Sequence, residues 1–179
     1  MKKTLALTAL ALLLAASSAL AQLGSTTGTT TMSVSVVAEA GLTVNTSTTT
    51  LSSTGTNFSS YTGTTSLTYF VRTTPTSGSG NIVLKVTSDF APTGGPSVGT
   101  PPTTGDALKY TCTVSSPGTA CTGSQTSSTT ATTSVGTFGA GSSSTFAGNS
   151  ASVAWTLTND PLYKVGTYTA TVTFTISAA

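Results

Sequence analysis

The sequence predicts an all-β protein: one antiparallel sandwich of about seven to eight strands with long Ser/Thr/Gly/Pro-rich loops. Three observations carry that expectation. Near the end of the chain Tyr168, Ala170, Val172, Phe174 and Ile176 alternate with Thr167, Thr169, Thr171, Thr173 and Thr175, and strand side chains point to opposite faces with period two. No segment beyond residue 21 shows apolar residues at i, i+3, i+4 and i+7, the stripe of an amphipathic helix. Turn-forming clusters separate short β-branched runs: TSGSG at 76–80, the prolines between 92 and 102, and Asn159-Asp160-Pro161. That is the punctuation of an antiparallel sandwich.

Taken in order, the chain opens on Lys2 and Lys3, an apolar run from Leu5 to Leu14, and Ala19-Leu20-Ala21. A charged start, a short apolar core and an A-x-A site make a secretory signal cleaved after Ala21. The run is shorter than the roughly 20 residues a membrane helix needs, and no span is expected after its removal. The expected organisation is therefore a signal over 1–21, a flexible Gly/Thr-rich lead-in over 22–31 and a sandwich domain over 32–179. The expected location is the periplasm, the cell surface or the medium.

Met32, Val34, Val36 and Ala38 alternate with Ser33 and Ser35, which predicts a first strand continuing to Leu42 and Val44 with a kink at Gly41. Residues 45–65 read as a polar loop holding at most a short strand, anchored by Leu51, Phe58 and Tyr61. The runs Ser66–Thr73 and Ile82, Leu84, Val86 flank TSGSG and are expected to pair as a hairpin. The proline-rich stretch 91–105 excludes helix and central strand. Tyr110, Cys112 and Val114 mark another strand. The low-complexity stretch 122–149 has room for one short strand near Val135, with Phe138 and Phe146 as further apolar contacts. Val153, Trp155 and Leu157 form a strand expected to pair with the last one through the Asn159-Asp160-Pro161 turn.

Beyond the signal, Arg72, Lys85, Lys109 and Lys164 balance Glu39, Asp89, Asp106 and Asp160. Such a chain has no basic footprint for phosphates, which excludes nucleic-acid binding. The absence of histidine removes the base of a serine triad, and no G-x-S-x-G elbow occurs. The four carboxylates read as turn and edge residues, so neither a glycosidase pair nor a calcium site is expected. The expectation is a non-catalytic protein without metal or cofactor. Cys112 and Cys121 lie in an exported chain around the turn residues Pro117-Gly118, which predicts a structural disulfide.

The ending GTYTATVTFTIS, after a Trp-bearing strand and a turn, resembles the closing strands of bacterial secreted immunoglobulin-like sandwich modules. It is also similar to spore-coat-U and pilin-like subunits assembled by chaperone and usher. The resemblance implies an immunoglobulin-like sandwich and a subunit that joins others. This chain ends Ser177-Ala178-Ala179, without the aromatic residue that many such subunits carry there.

Among candidate sites, Trp155 is in phase with Val153 and Leu157 and reads as a core residue. Tyr168 sits where a tyrosine hydrogen-bonds back across a corner. Tyr61 and Tyr163 lie in loop-like sequence and are the candidate contacts for a ligand such as a glycan. The threonine face of the last strand suggests a hydroxyl array of the ice-binding kind, but one strand is not an array, and threonine suits any solvated strand face. Asn45-Thr46-Ser47 and Asn57-Phe58-Ser59 match glycosylation sequons. The strongest functional expectation is structural. An uncharged surface leaves sheet edges poorly guarded against other chains, and Met32, Val34, Val36 and Ala38 have the alternation needed to complete a neighbour's sheet by strand addition. The expected partners are further copies or other surface subunits; the alternative is a secreted carbohydrate-binding sandwich. Amino-terminal sequencing of exported protein should begin at Gln22, and a retained Met1 would contradict the signal assignment.

Overall fold

The computed structural model describes residues 27–179; the expected secretory signal and its expected cleavage point lie outside the described residues. The chain divides into two units, Met1–Ser35 and Val36–Ala179. The described part of the first, residues 27–35, is exposed and has neither strand nor helix. The second is a two-sheet antiparallel sandwich of nine strands. These are β1 (Glu39–Val44), β2 (Tyr61–Arg72), β3 (Gly80–Ala91), β4 (Leu108–Val114), β5 (Thr119–Ala120), β6 (Gln125–Thr126), β7 (Thr133–Phe138), β8 (Asn149–Leu157) and β9 (Thr169–Ala178). One sheet has the order β1-β2-β8-β4-β6 and the other β5-β7-β3-β9.

The period-two pattern decides what is inside. Leu67, Tyr69 and Val71 of β2, Ile82, Leu84 and Val86 of β3, and Val153, Trp155 and Leu157 of β8 are buried. Their sequence neighbours Ser66, Phe70, Thr87, Ala154 and Thr156 are exposed. Burying each such apolar side chain contributes about 1.5–3 kcal/mol. The aromatic residues also carry polar atoms into the core, and each finds a partner. Trp155 Nε1 donates to Thr65 Oγ1 at 2.8 Å. The Tyr110 hydroxyl reaches across the sandwich to Thr133 Oγ1 at 2.7 Å and the Ser134 carbonyl at 2.9 Å. The Tyr69 hydroxyl donates to the Ser115 carbonyl. Among the described residues no buried side-chain nitrogen or oxygen lacks a partner, as a stable core requires.

Cys112 of β4 and Cys121, just beyond β5, form a disulfide with a sequence separation of 9. Because β4 and β5 belong to different sheets, the bridge staples the two layers together. Closing a loop of that size stabilises by roughly 2.5–3 kcal/mol on the chain-entropy account.

Both expected hairpins are replaced by crossings between sheets. β2 pairs with β1 and β8, whereas β3 pairs with β7 and β9. The TSGSG connection therefore passes from one layer to the other, and so does the connection from β8 to β9. Alternation specifies which face of a strand points inward, and two facing sheets satisfy that condition as well as one hairpin does.

Two boundaries differ as well. The first strand begins at Glu39 rather than Met32, and it passes Gly41 in unbroken register with β2. β2 begins at Tyr61, inside the expected loop. Its inward position 63 is a glycine because Leu51 covers it: a Cβ on Gly63 would meet the Thr50 carbonyl and the Leu51 side chain. Phe146 and Phe58, read as apolar anchors, are 104% and 62% exposed. The Trp155 strand, the strand at Val135 and the helix-free architecture match the expectation.

Three substitutions measure this layering by urea denaturation. Leu84→Ala in the closed core should cost about 3–5 kcal/mol. Phe174→Ala, opposite Leu84 in the β3–β9 register but only half-buried, should cost about 2 kcal/mol, less than the sequence alone would suggest. Thr173→Ala on the exposed face should cost less than ~0.5 kcal/mol.

Candidate functional site

The sandwich is closed on one side and open on the other. On the closed side the edge strands β5 and β6 have two residues each, and the disulfide spans the layers. On the open side the edges are β1 and β9, which lie near one another but share no ladder. The difference shows in burial. Ile82, Leu84 and Val86 of β3 are 0–1% exposed. Their register partners on β9, Ile176, Phe174 and Val172, pack against the same core yet remain half-buried, as does Leu42 of β1.

An apolar strip therefore meets solvent along the free edge of β9. Its edge reads TATVTFTISA, ten residues with no charge and no proline, and so lacks the devices by which edge strands ordinarily discourage pairing.

The segment read as a strand-addition candidate has no strand partner among the described residues. Met32, Val34 and Val36 are 91%, 87% and 63% exposed, Ala38 is half-buried, and none lies in a strand. The Val37 carbonyl accepts a bond from Arg72 Nε at 2.8 Å, and Arg72 also pairs with Glu39 at 2.9 Å. These contacts anchor the chain just before β1. A correct alternating pattern thus failed to become an intramolecular strand because β2 spends its register on residues 39–44.

The other site candidates gather at loop ends. Tyr61, the first residue of β2, lies close enough to Tyr163 to act on it electrostatically. The Tyr163 hydroxyl donates to Asp106 Oδ2 at 3.3 Å, and Asp106 in turn faces the carboxyl of Asp160. Burial, then the charge and hydrogen bond of Asp106, push the Tyr163 phenol well above its ordinary range. The acids expected to be scattered thus include one close pair, which sequence reading missed because 106 and 160 belong to different connections. Asp89 does act as a turn residue. Burial raises its pKa, but hydrogen bonds outweigh that and leave it below the ordinary value; they come from Val98 N–H at 2.7 Å, Ser97 Oγ at 2.7 Å, Gly99 N–H at 3.0 Å and Phe90 N–H at 2.8 Å. Among the described residues no three His, Cys, Asp or Glu side chains converge as metal ligands would.

Tyr168 packs its ring on Gly95, where a side chain would collide, and its hydroxyl donates to the Lys164 carbonyl at 2.7 Å. The threonine face of β9 is exposed. Beside Ser177, Thr175 and Thr173, however, β3 places Asn81, Val83 and Lys85, so the hydroxyl rank stops at one strand. Compared with known proteins, the chain matches no family model, no curated protein and no solved structure.

Proposed function

We propose that this protein is an exported, non-catalytic structural subunit of a fibre, coat or other surface assembly. In that assembly residues 31–38 of one copy complete the sandwich of the next, between β9 and β1. The observation that carries this reading is the half-buried strip Val172, Phe174 and Ile176 beside an unpaired, uncharged edge. The alternation Met32, Val34, Val36, Ala38 has the right period to lay one face on that strip. Each large donor side chain so buried contributes about 1.5–3 kcal/mol, and backbone ladder bonds set the register. The resemblance of the closing strands to pilin-like subunits points the same way.

A secreted carbohydrate-binding module is the second reading, favoured by the convergence of Tyr61 and Tyr163 beside two carboxyls. Light scattering coupled to size exclusion separates the two. The mature protein should associate with rising concentration, and replacing both Val34 and Val36 with Asp should return it to monomer without unfolding it. A peptide of residues 31–38 should bind that double variant. A wild-type protein that stays monomeric, ignores the peptide and retains a glycan would overturn the proposal in favour of the second reading.

A further inference from the structure

We propose that Asp106 and Asp160 share a single proton and so form a pH-sensitive latch between the β3–β4 and β8–β9 connections. The geometry is reciprocal. Thr103 on the first connection donates to Asp160 Oδ2 on the second, while Tyr163 on the second donates to Asp106 Oδ2 on the first at 3.3 Å. Between these two bonds the carboxyls meet. Each acid is set in a tight turn: Asp106 N–H bonds the Thr103 carbonyl at 3.1 Å, and Tyr163 N–H bonds the Asp160 carbonyl at 3.0 Å.

The partners decide where the proton resides. Asp160 is 7% exposed, screened by its own two loops rather than by the core. It accepts from Thr103 and, through Oδ1, from Leu162 N–H at 2.8 Å; donors of that kind favour the carboxylate. Asp106 is the group that keeps the proton. Partial desolvation, then the hydrogen bond and charge of Asp160, raise its pKa, while the Thr103 and Leu162 bonds lower that of Asp160. The other titratable group facing the pair is the phenol of Tyr163, which Tyr61 of β2 approaches in turn. Among the described residues neither carboxyl forms an ion pair; the ion pair there is Arg72 with Glu39.

The pH dependence follows from the two directions. Asp106, with its pKa raised, contributes stability that is present below the ordinary carboxylate value and lost as pH rises through its folded value. Asp160, with its pKa lowered, contributes stability that is lost as pH falls through its own folded value. The latch is therefore tightest in a mildly acidic window spanning the ordinary carboxylate range, and it loosens toward neutrality as two negative charges are forced together. The two connections it joins also wall a cleft of about 440 Å³ that includes Phe90, Gly94, Leu162 and Lys164. Loosening the latch frees those walls to separate.

Hydrogen exchange and carboxyl ¹³C titration of the full mature protein test this with two variants. Asp106→Asn keeps a donor toward Asp160 and an acceptor for Tyr163, so the latch should stay closed from about pH 4 to pH 7. Asp160→Asn deprives Leu162 and Thr103 of a charged acceptor, so the latch should be weak at every pH. In the wild type the protection of the Leu162 and Tyr163 amides, corrected for intrinsic exchange, should fall by about tenfold or more between pH 4 and pH 7. Asp106→Asn should abolish that fall. Two carboxyls titrating independently at the ordinary value, or an Asp106→Asn variant as loose at pH 7 as Asp160→Asn, would overturn the latch.

Discussion

A two-layer sandwich has to cover its core along both flanks, and in this protein only one flank is covered. The cost of the open flank is visible within a single register: Leu84 is fully buried while Phe174, paired with it, is not. The rest of the architecture compensates on the other side. Two-residue edge strands there expose little backbone, and Cys112–Cys121 ties layer to layer. The stability of the fold thus comes from the inner strands β2, β3, β4, β7 and β8, whose inward residues fill the core, while β9 is held on one edge only.

The scarcity of charge gives that asymmetry its consequence. Four cations and four anions beyond residue 21 leave hydroxyls to carry solubility, and a hydroxyl-rich edge does not repel a second chain as a lysine-bearing edge does. The few charges present serve local structure: Arg72 and Glu39 fix the approach to β1, and Asp89 organises the loop after β3. Asp106 and Asp160 join two connections at the loop end where Tyr61 and Tyr163 also meet. A chain so sparing with carboxyls yet placing two together has concentrated its electrostatics in one spot.

Much of this was legible in the residues. Alternation identified the inward faces of β3, β8 and β9, the phase of Trp155 made it a core residue, and the two cysteines announced their bridge. Pairing was not legible, because period two reports a face and not a neighbour; both expected hairpins proved to be crossings between layers. The same limit applied to Met32–Ala38, whose pattern is that of a strand but which pairs with no strand among the described residues. The Asp106–Asp160 pair left no local trace either. Each acid looks like ordinary turn chemistry, and only the stacking of two distant connections brings them together.

The central claim is that β9 has one satisfied edge and one waiting edge. Residue-resolved amide exchange on the dilute mature protein tests it most directly, because alternate amides of an antiparallel edge strand point toward and away from the ladder. The account predicts that β9 amides alternate between protected and fast-exchanging, and that the fast set becomes protected when the peptide of residues 31–38 is added. Uniform protection along β9 in the isolated monomer would show that the edge is already covered and would contradict the account.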